Sequence, residues 1–543
     1  MGAQHRWAYH LLNPRPFRGH PDRRGRACAR RVWARVLRGP RLCSGAYTHG
    51  ALPDSGQLTV LVYAVDVGTT NLKVVLYDDQ LRRLGTASAP AVYARDGVRV
   101  EFDPEQLFDT VLDLIGQCAA NCDDVARHEA VIAITGQAES LVINDRRGTP
   151  VRPGMSWLDD RAVAEAAELA ERFGTDYAFA VTGQPFPSAT WPAAKLRWLG
   201  RHEPATLDSA RSVLMIKDDL VRRFTGIAVG EITTRGFTYF WDVPNGMYWH
   251  EMLDFCSIPG GSLPEVVPAG TEVGQVSEDV VTRLPGASGY RVNVGALDHF
   301  CAMAGTGSYA AGIVSESAGT VLSLSLLDHE WSFDADRKVS FHSGLRPGDT
   351  VLFSGVDGGG AALEWFRGHG LAGMSYDELE QRLGSREYRE PPIFLPYLTG
   401  VNPPDYFPDA KGAFLNLDLG HDQIDMAFAV EEGIAHLLRR NVEYLSPEPA
   451  HGMVSTGGGA ASAFWNQLKA DVCGVDVLVP DEHEATCRGA AVLALVAGGK
   501  LNRLEDANQL HAPATVRYRP SQTETRQARY RLFADYLRRL YQS

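Results

Sequence analysis

Tyr63-Ala-Val-Asp-Val-Gly-Thr-Thr-Asn-Leu-Lys-Val-Val-Leu-Tyr-Asp-Asp79 is the stretch on which the fold turns. An apolar, β-rich run (Leu61 to Val65) ends in Asp66, a tight Gly68-Thr69-Thr70-Asn71 turn follows, and a second β-rich run (Leu72 to Tyr77) leads back out. That pattern predicts a β-hairpin. Its turn carries chemistry: Gly68 permits close backbone approach, Thr69 and Thr70 add hydroxyls and amide donors, and Asp66 sets a carboxylate beside them. Amides and hydroxyls suit phosphate oxygens, and a carboxylate suits the magnesium that travels with them. On these residues alone a phosphate cradle and a plain polar turn stand level.

The chain is 543 residues long, which exceeds what one core can serve and implies two or more domains. Hydrophobic content of 45% and charged content of 22% are those of a globular protein, and a net charge of −13 argues against a general nucleic-acid binder. No apolar run is long enough for a membrane-spanning helix, so no membrane partner is expected. The eight cysteines show no CxxC pair and no metal-ligand spacing, which suits free thiols in a reducing, cytoplasmic setting. Cys118 and Cys122, four apart in a helical pattern, read as core residues.

Residues 1–57 differ from everything after them: arginines such as Arg23, Arg24, Arg30 and Arg31 abound, lysine is absent and periodicity is missing. A transit peptide, a nucleic-acid or membrane arm, and sequence upstream of the true start are the competing accounts. Serine is scarce, which counts against a transit peptide, so the segment reads as a disordered extension outside the fold.

Further along, Asp103-Pro104-Glu105 marks a helix start, and Ala130 to Ile134 is a buried-strand pattern ending in Thr135-Gly136-Gln137-Ala138-Glu139-Ser140. Polar residues at the carboxyl end of such a strand commonly face a ligand crevice. The strand-like Tyr290 to Val294 runs into Gly295-Ala296-Leu297-Asp298 and a small-residue helix. The hairpin pattern then returns as Ile313 to Ser317, an Ala318-Gly319-Thr320 turn, and Val321 to Leu327, which suggests an internal duplication. A periodic helix over about Asp422 to Tyr444 precedes a strand, a Gly457-Gly458-Gly459-Ala460 loop and a helix, a geometry that brings amides to a nucleotide. A P-loop is absent, and Gly305-Thr306-Gly307-Ser308-Tyr309-Ala310 lacks the preceding strand that a dinucleotide fingerprint requires.

Taken in order, these segments resemble the FGGY carbohydrate kinases, members of the actin-like, ribonuclease-H-like ATPase superfamily. Asp66 to Lys73 is similar to that family's first phosphate motif and Ser317-Ala318-Gly319-Thr320 to its second. Gly457-Gly458-Gly459-Ala460 with Phe464-Trp465-Asn466-Gln467 resembles its adenosine motif, and Gly295-Ala296-Leu297-Asp298 the segment with its catalytic aspartate. Phe394 to Gly400 and Glu432-Gly433 extend the match, which runs from about Leu61 to Gly499. The resemblance implies an α/β fold of two ribonuclease-H-like domains with a cleft between them. Residues 58–306 would form the sugar-side domain, 307–505 the ATP-side domain and 506–543 a helical tail.

The same resemblance implies roles. Asp298 would be the general base that takes the acceptor hydroxyl's proton; alone, it reads equally as a helix-capping aspartate. Asp66 would order Mg²⁺. Gly68, Thr69, Thr70, Lys73, Gly319 and Thr320 would hold ATP phosphates, and Gly457, Gly458, Gly459 and Asn466 would lie against adenosine or its phosphates. Lys73 reads alternatively as a strand-edge lysine. Gln137, Ala138, Glu139, Trp157, Asp159 and Arg161 are the expected sugar contacts; a buried Asp159–Arg161 ion pair beneath a core tryptophan is the alternative. Xylulokinases often carry Met-His where Ala138-Glu139 stands, and Val401-Asn402 replaces a common Glu-Arg. A carboxylate at Glu139 accepts hydrogen bonds from hydroxyls and repels an acid, which favours a neutral ketose or polyol over gluconate. The expectation is an ATP-dependent kinase of a neutral, xylulose-like sugar or polyol; a homodimer is an admissible assembly. Gluconate, glycerol and other family substrates are alternatives, and an actin-like ATPase sensor or scaffold is the reading from a different class.

Overall fold

The computed structural model describes residues 60–541, apart from 121, 123–124, 330–333, 335, 357, 399–403, 406, 408–409 and 447. The Arg-rich residues 1–57 and the Val401-Asn402 departure lie outside the described residues.

Strand Val60–Val67 feeds two cores at once because alternate side chains leave opposite faces of a strand. Val62 and Ala64 join one apolar cluster, while Leu61, Tyr63, Val65 and Val67 join another. Such two-sided burial marks a central strand. The strand pairs antiparallel with Asn71–Tyr77, closing the predicted hairpin, and parallel with Glu129–Gly136. The sheet order across the first half is 272–275, 289–293, 129–136, 60–67, 71–77, 83–90. Helices Pro104–Ala119 and Ile216–Thr225 pack on one face through Val111, Ile115, Leu220 and Phe224. Asp103 starts the first of them, its carboxylate accepting from the amides of Glu105 and Gln106.

The second half repeats this plan. Ile313–Ala318 pairs antiparallel with Leu322–Asp328 and parallel with Gly452–Thr456, which pairs parallel with Val477–Pro480. In both sheets three antiparallel strands are followed by two parallel ones and an antiparallel edge, and the second sheet adds a further antiparallel strand, Ser340–Ser343, at its other end. The suggested duplication is therefore a duplicated topology, the ribonuclease-H-like arrangement. Between the sheets lie helices Asp298–Thr306 and Ala485–Ala497. A separate five-stranded sheet (94–96, 99–102, 154–155, 141–144, 212–215) is inserted in the first half. No helix among the described residues is long and apolar enough to cross a membrane.

The segment read as a tail is part of the second core. Strand Thr515–Tyr518 completes its sheet, and helix Thr523–Tyr541 buries Tyr530, Phe533 and Leu537. Arg526 and Arg529 reach the buried Glu432 at 2.8 and 2.7 Å. Few apolar residues in an arginine-rich helix hid this role, since its charges are spent on a buried carboxylate.

His342 joins the two halves. Its ring, fully buried, stacks on Phe237 at 4.0 Å and shares a 3.0 Å hydrogen bond with Ser340. Burial, and secondarily His299, pushes its pKa down from 6.5 to about 3. Because the folded value lies below the unfolded one, its neutral form costs nothing above pH 6.5, and stability drains as pH falls toward the folded value. We expect wild-type protein to lose about 2 kcal/mol more than His342→Phe between pH 7 and pH 5 in denaturant unfolding, since each unshared proton costs about 1.4 kcal/mol per pH unit. Equal losses in the two proteins would contradict this.

Candidate active site

Three neighbouring parallel strands of the first sheet end on the same side, and the candidate residues sit at those ends. Asp66 is next to last in Val60–Val67, Gln137 to Glu139 follow Glu129–Gly136, and Asp298 follows Gly289–Asn293 after a short turn. The backbone is built for this closeness. Gly295, at φ 57°, lies so near Ile134 that a Cβ would come within 2.3 Å of its carbonyl oxygen. Thr135 Oγ1 donates to the Ala296 carbonyl at 2.8 Å, and Thr233 Oγ1 accepts from the Leu297 amide at 2.8 Å. Thr233 is itself held by Glu231, which pairs with the buried Lys217. Glu231, Thr233 and Lys217 escaped the sequence reading, because the charge-rich helix Ile216–Thr225 and the polar segment after it give no sign of burial.

Asp298 opens helix Asp298–Thr306, with Oδ1 accepting from the His299 amide at 2.7 Å. Its side chain keeps 27% exposure, so the helix-start position leaves it accessible. Asp66 is half-buried, and its Oδ1 has no hydrogen-bond partner among the described residues. Burial first, and the Asp298 charge second, raise its pKa to about 7. An orphaned carboxylate oxygen held at that cost is suited to a cation, which would lower it again. No cluster of three or more acidic, histidine or cysteine ligands forms among the described residues. Mg²⁺ fits such a site, because it is commonly held by one or two carboxylates with phosphates and water.

Lys73 is the cross-strand neighbour of Asp66. Its Nζ donates to Glu484 Oε2 at 2.6 Å, an ion pair joining the first hairpin to the residue that precedes helix Ala485–Ala497. Lys73 is thus neither a loose surface group nor a free phosphate ligand.

Asp66, Lys73 and Glu484 line a cavity of about 740 Å³ together with His299, Gly457 and Gly458. That volume is in the range of nucleotide-sized sites. The second sheet gives it a hydroxyl wall. Val314, Ala318, Leu322 and Leu324 turn to the core, so the alternate Ser315, Ser317, Ser323 and Ser325 turn to the cavity in the cross-strand pairs 315/325 and 317/323. The exposed Gly319-Thr320 turn packs on helix Gly360–Gly370, whose first amides donate to the Gly319 and Thr320 carbonyls at 3.1 and 3.0 Å. Gly457, at φ 85°, lies against Ala318, where a Cβ would meet its carbonyl oxygen at 2.9 Å. Asn466 departs from expectation: it is buried beneath the loop, and its Nδ2 donates to the Ala460 carbonyl at 2.8 Å. It shapes the loop from below and is not placed to touch adenosine.

Beyond the end of strand Glu129–Gly136 a chain of hydrogen bonds runs Tyr93–Gln137–Ser140–Trp157–Thr69. Gln137 Nε2 donates to Tyr93 Oη at 3.2 Å, Ser140 Oγ donates to Gln137 Oε1 at 3.2 Å, and the Trp157 amide donates to Ser140 Oγ at 3.0 Å. Trp157 Nε1 then donates to Thr69 Oγ1 at 2.9 Å, tying this segment to the first turn. Ala138 is buried. Glu139 takes a left-handed φ of 65°, which costs a non-glycine residue about 1–3 kcal/mol. Asp159 and Arg161 correct the sugar-contact expectation. Asp159 is fully buried, with Oδ2 accepting from the Val100 amide at 2.7 Å and both oxygens bonded to Arg161, whose guanidinium lies 5.0 Å from the Trp198 ring centre. Arg161 also donates to Glu101 at 2.6 Å, so both charges are met within the protein. Lys195, which the sequence reading passed over, is fully buried and donates to the Ser156 and Glu139 carbonyls at 2.6 and 3.3 Å.

Known proteins share this fold. The model for the N-terminal domain of the FGGY family of carbohydrate kinases matches residues 61–305, and the model for its C-terminal domain matches 332–498. A xylulose kinase of Staphylococcus xylosus is 24% identical over 477 residues, covering 86% of this chain and 96% of that protein. A gluconokinase of Bacillus subtilis is 24% identical over 496 residues, covering 87% and 94%. The crystal structure of ligand-bound xylulose kinase from Lactobacillus acidophilus superposes with a TM-score of 0.82 at 23% identity, covering 89% of this chain and 98% of that one. The chain belongs to the FGGY family of carbohydrate kinases, phosphotransferases that act on an alcohol group.

Proposed function

We propose that this kinase transfers the γ-phosphoryl group of ATP to a hydroxyl of a neutral sugar or polyol, a xylulose-like ketose being favoured, with Asp298 as general base. One observation carries the proposal: Asp66, Gln137–Glu139 and Asp298 occupy the ends of three adjacent strands, opposite a serine-walled, glycine-rimmed cavity of nucleotide size. Phosphoryl transfer needs positioning and charge neutralisation more than covalent help. Asp298 accepts the proton of the acceptor hydroxyl as its oxygen attacks the γ-phosphorus and ADP leaves. Thr69, Thr70, Gly319 and Thr320 hold phosphate oxygens from the two turns, and Gly457 and Gly458 border the nucleoside. Asp66 would hold Mg²⁺, which when bound offsets charge on the phosphates. Gln137 and Glu139 take acceptor hydroxyls, and Trp157 closes the pocket's wall. The six cysteines of the described residues are unpaired, which supports a cytoplasmic setting.

Asp298→Asn should lose about 10²–10⁴ in turnover, the usual worth of a general base, while nucleotide affinity by titration calorimetry stays near wild type. Turnover within about tenfold of wild type would remove Asp298 from the role. Trp157→Phe keeps the aromatic wall but deletes the bond to Thr69. Steady-state kinetics should register a loss of about fivefold in kcat/KM, the equivalent of one hydrogen bond of about 1 kcal/mol, and an unchanged value would mean that the bond does not support the first turn.

A further inference from the structure

Three lysines among the described residues, Lys195, Lys217 and Lys469, are completely buried. Two are paired directly with a carboxylate: Lys217 with Glu231 at 3.2 Å and Lys469 with Glu316 at 2.7 Å. Lys195 is different. Its Nζ donates to two backbone carbonyls, those of Ser156 and Glu139, at 2.6 and 3.3 Å. Carbonyls satisfy its donors without cancelling its charge. The carboxylates that face it are Glu139, Asp159 and Asp160, with Arg161 opposing. Asp159 is consumed by Arg161, so Glu139 is the principal counter-charge of this ammonium. Burial disfavours the charged forms of both Lys195 and Glu139, and each offsets that effect on the other.

The two carbonyls that Lys195 grips belong to the two segments proposed above to hold the acceptor. One is the left-handed Glu139, whose side chain also takes a hydrogen bond from Thr190. The other is Ser156, just before Trp157 and its bond to Thr69. Lys195 comes from a third element, helix Pro192–His202.

We propose that Lys195 is a positioning residue that sets acceptor class: it clamps the backbone at Glu139 and Ser156, and its charge is matched by Glu139 so that the pocket accepts a neutral polyhydroxyl compound and refuses an aldonate. The proposal rests on the acceptor pocket described above. Removing the carboxylate alone leaves an uncompensated ammonium behind the pocket wall, which attracts an anionic acceptor; removing both charges restores neutrality.

The test is steady-state kinetics of ADP release with a neutral pentulose and polyol and with gluconate, for wild type, Glu139→Gln, Lys195→Met and the double variant, with thermal unfolding run alongside. Wild type should use the neutral acceptors. In Glu139→Gln the kcat/KM for gluconate relative to the neutral acceptor should rise about tenfold or more, and the double variant should lose that gain. Lys195→Met should raise the acceptor KM about tenfold while the ATP KM stays within about twofold. If Lys195→Met alone does not fold, the double variant, which buries no unpaired charge, still decides by its comparison with Glu139→Gln. A Glu139→Gln enzyme with unchanged preference, a gain that persists without Lys195, or a wild type that prefers gluconate would each overturn the role of Lys195 and leave the kinase reading intact. Turnover with neither acceptor class would overturn both.

Discussion

The crossing of helices Asp298–Thr306 and Ala485–Ala497 is the contact on which the site depends. Two glycines permit it: a Cβ on Gly305 would come within 2.0 Å of the Ala485 carbonyl oxygen, and one on Gly489 within 1.7 Å of that of Cys301. Arg488 adds a 3.0 Å bond from Nε to the Gly305 carbonyl. The helices belong to opposite halves of the sequence, and their amino ends carry chemistry. Asp298 starts one, and Glu484, bonded to Lys73, immediately precedes the other. Interiors this dense transmit small shifts, so the spacing between Asp298 and Glu484 is set where two backbones touch.

Charge in the cleft follows from that geometry. Asp66, Asp481, Glu482 and Glu484 border the cavity, and the single lysine among its lining residues, Lys73, is already paired with Glu484. A polyphosphate entering such an environment needs compensation from amides, hydroxyls and a cation. The serine wall offers hydroxyls, Gly457 and Gly458 offer backbone amides, and the orphaned oxygen of Asp66 suits the third. The first sheet spends both its faces on apolar cores, whereas the second turns one face of its hairpin into hydroxyls.

Much of this was legible in the sequence, because it is local. The hairpin at Asp66, its counterpart at Gly319, the loop at Gly457 and the helix over 423–445 each announce themselves by period and turn residues within a few positions. What sequence could not yield is pairing across long separations. Asp159 and Arg161 sit beside the pocket in the chain but spend their charges on each other. Asn466 follows the glycine loop yet works from beneath it. Lys195 lies 56 residues from the carbonyl of Glu139, and nothing in its amphipathic helix distinguishes it from a surface lysine. The terminal helix looked detached because the partner of its arginines, Glu432, is nearly a hundred residues away.

The most direct test is the mass of the acceptor after incubation with ATP and Mg²⁺, read by mass spectrometry across pentuloses, hexuloses, polyols and aldonates. A phosphoryl kinase built as described should add one phosphoryl group to at least one neutral acceptor, with ADP formed in equal amount. ATP turnover with no acceptor gaining a phosphoryl group would contradict it and would leave the two turns and their cleft serving an ATPase of another kind.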